Sequence, residues 1–305
     1  MKIDRRNFLK SLSAIGASGI IGSSEKIFAS EDFRGYPDRL GMLTDLTLCV
    51  GCRYCEKACK EAHGLPPHKR PLEDESVFEE IRRPDDEFLT VVNRFTDTDN
   101  SEGPVYRKVQ CNHCDEPSCV SACLVGALKK TQEGAVIYNE DVCIGCRYCM
   151  VACPFYIPAY EFNDPLSPAV KKCDFCYDRI KEGGIPACAE ICPVEAITFG
   201  KKSQLIKLAR ERIRKSPEKY IDHIYGEHEV GGTSWMYISG VPFEQLGFDI
   251  NLERKPYPEL TIEFLSAVPL VMIIGPALLA GIRAFTKNRE QNSETNAEKS
   301  EQKES

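Results

Sequence analysis

The spacing of its cysteines constrains this chain more than any other feature. Sixteen cysteines fall into four groups of four, with none outside a group. The first group is Cys49-Val-Gly-Cys52-Arg-Tyr-Cys55-Glu-Lys-Ala-Cys59, and the second is Cys111-x2-Cys114-x4-Cys119-x3-Cys123. The third is Cys143-Ile-Gly-Cys146-Arg-Tyr-Cys149-Met-Val-Ala-Cys153-Pro154, and the fourth, stretched, is Cys173-x2-Cys176-x11-Cys188-x3-Cys192-Pro193. Disulfide frameworks scatter their cysteines across the loops of small secreted domains. Structural zinc usually takes its ligands as two separated pairs. A tight triplet with a fourth cysteine shortly after instead presents three thiolates to three iron corners of a cubane, while the more distant cysteine takes a further iron. The sixteen cysteines therefore read as metal ligands, through cluster iron, of four [4Fe–4S] clusters.

Groups one and three share Cys-x-Gly-Cys-Arg-Tyr-Cys, which marks an internal duplication. Gly51 and Gly145 are expected to let the backbone turn tightly around a cubane and aim amide N–H groups at its sulfurs. In two-cluster ferredoxins the fourth cysteine of each motif serves the other cluster. Groups two and three lie close in sequence, with a hairpin predicted from strands at 127–131 and 135–138 around Glu133-Gly134. They read as one module, residues 105–159. Groups one and four then form an outer module, residues 41–60 and 160–200, with strand-like edges at 43–47 and 196–199. The expected fold class is α+β: two bacterial-ferredoxin-like two-cluster modules, one inserted in the other, plus a C-terminal transmembrane helix.

Residues 61–104 connect the first two motifs, with a strand predicted at 88–95 in otherwise charged loop. Residues 201–260 read as a helical and loop extension. It opens with an amphipathic helix over 201–220 whose apolar side carries Leu205, Ile206, Leu208, Ala209 and Ile213. The two ends carry address and anchor signals. Asp4-Arg5-Arg6-Asn7-Phe8-Leu9-Lys10 precedes a mildly apolar stretch, so residues 1–30 read as a twin-arginine export segment, with cleavage expected near Ala29 or Ser30. Residues 264–282 are uncharged for 19 positions, long enough to cross a bilayer as a helix. Arg283, Lys287 and Arg289 beyond the run, with Glu259 and Glu263 before it, direct the C-terminus to the cytoplasm and the cysteine domain to the opposite face. Residues 286–305 are almost wholly polar and are expected to be disordered.

A net charge of −7, with no basic patch interleaved with aromatics, argues against nucleic-acid binding. There is no nucleophile–base arrangement and no dinucleotide-binding glycine fingerprint, so the chain does not read as an enzyme. His63, His68, His113, His223 and His228 form no haem-attachment motif and read as ordinary polar histidines.

From Gly41 to about Gly247 the chain resembles the four-cluster electron-transfer subunits of respiratory oxidoreductases, most of all the hydrogenase-2-type ferredoxin-like subunit. The stretches carrying the likeness are Thr47-Leu-Cys-Val-Gly-Cys-Arg, Asp141-Val-Cys-Ile-Gly-Cys-Arg-Tyr-Cys-Met-Val-Ala-Cys-Pro-Phe, Tyr225-Gly-Glu, Gly231-Gly-Thr and Gly240-Val-Pro. The resemblance implies four ligand sets: Cys49, Cys52, Cys55 and Cys192; Cys173, Cys176, Cys188 and Cys59; Cys111, Cys114, Cys119 and Cys153; Cys143, Cys146, Cys149 and Cys123. Groups one and two lack the proline after their last cysteine, having Lys60 and Leu124 instead, which should alter local turns and not ligation. It implies a non-catalytic relay in the bacterial cytoplasmic membrane, single-pass, with its cluster domain on the periplasmic side. The implied partners are a catalytic subunit, a nickel–iron hydrogenase, and a multi-span membrane subunit that reacts with quinone. The alternative is the same relay role beside a molybdopterin oxidoreductase or a multihaem cytochrome complex.

Overall fold

A computed structural model describes residues 39–99, 103–162, 169–261, 268 and 271–287. The export segment falls outside the described residues, as do residues 288–305 of the tail; Thr286 and Lys287 belong to a helix over 271–287. Among the described residues no helix is long and apolar enough to cross a membrane. The 264–282 run is described only in part.

The elements are short. In chain order they are β1 (Leu40–Asp45), α1 (Tyr54–Ala62), β2 (Val91–Phe95), β3 (Val105–Val109), α2 (Ser118–Ser121), β4 (Leu128–Lys130), β5 (Val136–Tyr138), α3 (Tyr148–Ala152), β6 (Ala159–Tyr160), β7 (Val170–Lys171), α4 (Tyr177–Lys181), α5 (Ala187–Glu190), β8 (Ile197–Lys201), α6 (Lys202–Lys215) and β9 (Trp235–Ile238). Helices and strands alternate without a repeating crossover, as an α+β fold requires.

Strand β1 is the centre of a three-stranded sheet, antiparallel to β8 and parallel to β9. Side chains alternate across it with period two. Met42 joins Trp235 and Tyr237 in one core, while Leu43 joins Met236, Ile238 and the Leu205–Ala209–Ile213 stripe of α6 in another. Each such fully buried aliphatic side chain contributes about 1.5–3 kcal/mol. The expected strand at 43–47 ends earlier, at Asp45, because its carboxylate accepts from Thr47 N at 3.1 Å and from Thr47 Oγ1 at 2.6 Å, closing a turn. Arg212 Nη1 and Tyr220 Oη donate to the same carboxylate, at 2.9 and 2.8 Å, which pins α6 and the chain beyond it to β1.

The hairpin appears as β4 paired antiparallel with β5. Gly134 sits in its turn at φ 107°, where an added Cβ would lie 2.7 Å from the Leu40 carbonyl oxygen. That close approach lets Leu40 N donate to Glu133 O at 2.9 Å, so the hairpin turn abuts β1. The strand predicted at 88–95 is shorter, Val91–Phe95, and its partner β3 carried no sequence expectation. This pair joins the connecting segment to the start of the segment assigned to the inserted module.

The 201–260 extension is more than helix and loop. Beyond α6, β9 enters the main sheet, and the loop ahead of it is stitched to group two by Asp115 N→Gly232 O (2.9 Å), Ser234 N→His113 O (3.1 Å) and Trp235 N→Asn112 O (3.1 Å). A buried Lys202–Asp115 ion pair at 2.5 Å adds a second tie from α6. Tyr225, Tyr237, Phe243 and Phe248 pack ring against ring beside these contacts.

Glu56 on α1 anchors the connecting segment. Its fully buried carboxylate accepts from Arg53 at 3.3 Å, from Arg82 Nη2 at 2.5 Å and from Val92 N at 2.6 Å. Removing one member of such a set strands buried charges and costs about 3–5 kcal/mol. Glu56→Ala should therefore lower the guanidinium unfolding midpoint of the cluster-loaded protein by a corresponding amount. A loss below about 1 kcal/mol would show that Glu56 is not an anchor.

Candidate iron–sulfur centres

The repeated motif repeats its backbone. Gly51 and Gly145 lie at φ 70° and 67°, and the arginines that follow, Arg53 and Arg147, lie at φ 61° and 59° as they lead into α1 and α3. This left-handed stretch turns the chain so that successive amides face inward. A Cβ on Gly51 would meet the Tyr106 ring at 2.3 Å, and one on Gly145 would meet the Tyr160 hydroxyl at 2.8 Å. Gly145 N donates to Cys143 Sγ at 3.5 Å, and Gly51 N donates to Cys49. Ala127 N→Cys123 Sγ (3.1 Å) and Phe175 N→Cys173 Sγ (3.4 Å) do the same in the other groups.

None of the sixteen thiols is in a disulfide. One cavity brings together Cys59, Cys173, Cys176 and Cys188, with Trp235, Phe175 and Lys108 in its wall. A second brings together Cys111, Cys114, Cys119 and Cys153, closed by Val136, Phe155, Ile157 and Lys172. Cys49 neighbours Cys52 and Cys192, and Cys55 neighbours Cys49. Cys149 neighbours Cys143, Cys123 and Cys146. Helix α1 packs on α5, and α2 on α3, so the fourth cysteine of each group lies beside its partner group.

Burial pushes the Cys49, Cys153 and Cys188 thiols up to about 11 and Cys119 to about 12; Cys55, Cys114 and Cys173 are raised well above the usual range for the same reason. Sulfurs so placed ionise only when a cation replaces their protons. Four soft donors in a dry pocket, some facing backbone N–H groups, are the donor set an iron–sulfur cubane takes. One tetrahedral zinc with bonds of about 2.3 Å would draw its sulfurs to about 3.8 Å from one another. Among the described residues no trio of cysteine sulfurs lies within 4.8 Å; the trio that does is His63, Asp174 and Cys176. In that trio His63 is already engaged, Nε2 with Asp174 at 2.7 Å and Nδ1 with the Cys59 carbonyl at 2.8 Å. Burial opposes the charged imidazole, yet the bonds to Asp174 and Cys59 outweigh it and hold the ring at about 11. The pair joins the end of α1 to the fourth group.

Two buried polar side chains escaped the sequence reading. Lys108 on β3 is fully buried, donates to Gln110 Oε1 at 3.0 Å and lies 4.3 Å over the Trp235 ring. Burial opposes its charge, but the surrounding Cys188, Cys55, Cys173 and Cys59 raise its pKa overall. It stands against sulfurs of groups one and four, where its charge complements an anionic occupant. Nothing in the alternation of β3 distinguishes Lys108 from its half-buried neighbours Arg107 and Val109. His113, read as an ordinary polar histidine, has no exposed surface at all. Its Nε2 lies 3.5 Å from Cys173 Sγ.

Residues 104–202 match the 4Fe-4S dicluster domain. Over nearly its whole length the chain is also similar to full-length relatives. It is 47% identical to a protein of Nitratidesulfovibrio vulgaris, covering 95% of this chain and 78% of that one. It is 35% identical to the hydrogenase-2 operon protein HybA of Escherichia coli O157:H7, covering 94% of this chain and 97% of the relative. The iron-sulfur subunit of nitrate-inducible formate dehydrogenase from Escherichia coli K12 is 33% identical over 71% of this chain and 73% of its own. The chain belongs to the family of ferredoxin-like iron–sulfur electron-transfer subunits of respiratory oxidoreductases that includes the hydrogenase-2-type protein. Its cofactors are [4Fe–4S] clusters, and its sixteen cysteines match four of them.

Proposed function

We propose that each sulfur set holds one [4Fe–4S] cluster and that the chain relays electrons between a periplasmic nickel–iron hydrogenase and a multi-span membrane subunit that reduces quinone. The observation that carries this reading is the grouping of all sixteen cysteines into four neighbouring sets. When bound, the clusters supply reversible one-electron transfer. The chain buries their sulfurs, aims amides at them and sets Lys108 beside them; no residue of its own forms or breaks a substrate bond. The apolar residues flanking the motifs, Val50 and Tyr54 in group one and Leu124, Ile144, Tyr148 and Val151 beside groups two and three, are exposed. Cys146 is itself exposed. A relay needs such edges, where a partner can cover the apolar surface and approach the ligand shell.

A hydrogenase donor is favoured by the 35% identity to HybA across 97% of that relative. The similarity to a formate dehydrogenase subunit favours the second reading, a molybdopterin partner. Anchoring by 264–282 is supported by the exposed apolar side chains of Val271, Met272, Ile273, Leu278 and Leu279 along the described helix, a surface suited to lipid and not to water. Export by the twin-arginine route would carry the chain across already folded around its clusters.

Four experiments separate the parts of this proposal. The anaerobically purified chain should contain about sixteen irons and matching acid-labile sulfide. Cys192→Ser should alter the cluster of Cys49, Cys52 and Cys55 in electron paramagnetic resonance, leaving the signals altered by Cys119→Ser unchanged. Coincidence with the signal altered by Cys176→Ser would refute the ligand scheme. A chain stopped at Thr261 and expressed without partners should leave the membrane fraction and remain on the periplasmic side. Continued tight retention would defeat the single-span anchor. In the native host, deleting the subunit should abolish hydrogen-dependent quinone reduction while leaving hydrogen oxidation with a soluble dye largely intact. Unchanged quinone reduction rejects the hydrogenase relay; loss of formate-dependent reduction instead selects the molybdopterin partner.

A further inference from the structure

Histidine 113 stands in group two, between Cys111 and Cys114, yet its ring reaches away from its own motif. Val136 N donates to Nδ1 at 2.9 Å. A backbone amide can only donate, so Nδ1 carries the lone pair and a neutral ring keeps its proton on Nε2. That proton faces Cys173 Sγ, 3.5 Å away, a sulfur of the fourth group whose cavity also holds Cys59, Cys176 and Cys188. The ring packs against Phe175, centroid to centroid 4.8 Å with the planes tilted by 54°. Its backbone is held by Ser234 N and Lys130 Nζ, which donate to His113 O at 3.1 and 2.8 Å. The residue lies at φ 49°, so the turn that aims it is built into the chain.

We propose that His113 is a positioning residue whose Nε2–H, presented from one module, holds Cys173 Sγ of the other and thereby sets the reduction potential of the outer-module cluster. This rests on the four-cluster relay proposed above. A donor to a ligating sulfur favours the more negative, reduced form and raises the potential. With Phe175 N, Cys173 Sγ has two donors, one from its own loop and one from across the module boundary. The contact makes the potential of one module depend on the seating of the other and joins their two sulfur shells through a single side chain.

The test is a redox titration, followed by electron paramagnetic resonance, of the full chain with its clusters in detergent. Two variants are compared. His113→Asn tolerates a left-handed backbone but is too short to reach Cys173 Sγ; His113→Gln restores reach and an N–H donor. Cys188→Ser identifies the signal of the Cys173 cluster. His113→Asn should make that cluster about tenfold harder to reduce, a shift of about 59 mV for one electron. Iron content and the other three potentials should stay as in the parent, and His113→Gln should recover much of the shift. A purely structural role would instead disturb the cluster of its own motif, that of Cys111 and Cys114, and that result overturns the proposal. It is equally overturned if the Cys173 cluster does not move, if all four shift together, if iron is lost, or if Gln fails to recover what Asn loses. Fewer than four clusters in the parent chain would defeat the relay reading itself, and is seen before any variant is made.

Discussion

The structure depends on gathering cysteine sulfurs into dry, shared spaces. Four such sulfurs resist ionisation both by burial and by mutual repulsion, as the raised thiols of both cavities show. Iron reverses that balance, so cluster binding and folding draw on the same free energy. The local conformations follow from this demand. Left-handed residues at Gly51, Arg53, Gly145 and Arg147 give turns tight enough to surround a cubane, and helices of four to nine residues carry ligands to its far side.

Short elements bury little apolar surface, so the modules need a frame. It comes from the segment after the last cysteine. Strand β9 lies parallel to β1, and the loop ahead of it bonds to Asn112, His113 and Asp115 of group two. The Lys202–Asp115 pair and the Lys130 bonds to His113 O and Ser234 Oγ tie the same junction. The extension is thus a clamp between β1 and group two, not an appendage, and the buried His113 and Lys202 side chains lie along its seam.

Much of this was legible in the residues. The hairpin around Gly134 followed from turn chemistry flanked by apolar runs, and α6 from its apolar stripe, because local sequence decides both. The strand at β9 was not legible. Trp-Met-Tyr-Ile is buried on both sides and shows no alternation, and four apolar residues carry no periodicity of their own. β3 was missed for a related reason: Tyr106, Arg107 and Lys108 look like exposed loop until Val91–Phe95 pairs with them.

Cysteine spacing alone pointed to the kind of cofactor and to the sixteen sulfurs that match four clusters, because the reach between ligands on one tight turn is a local property of the chain. Packing decided which groups share a cavity in space, since that depends on α1 meeting α5 and α2 meeting α3 across long separations. Tertiary structure alone decided the surroundings of the sulfurs. Lys108 and His113 are commonplace polar residues in the sequence; they acquire their roles only when the dry interior removes water as a competing partner and leaves the sulfurs to answer their charge and their proton.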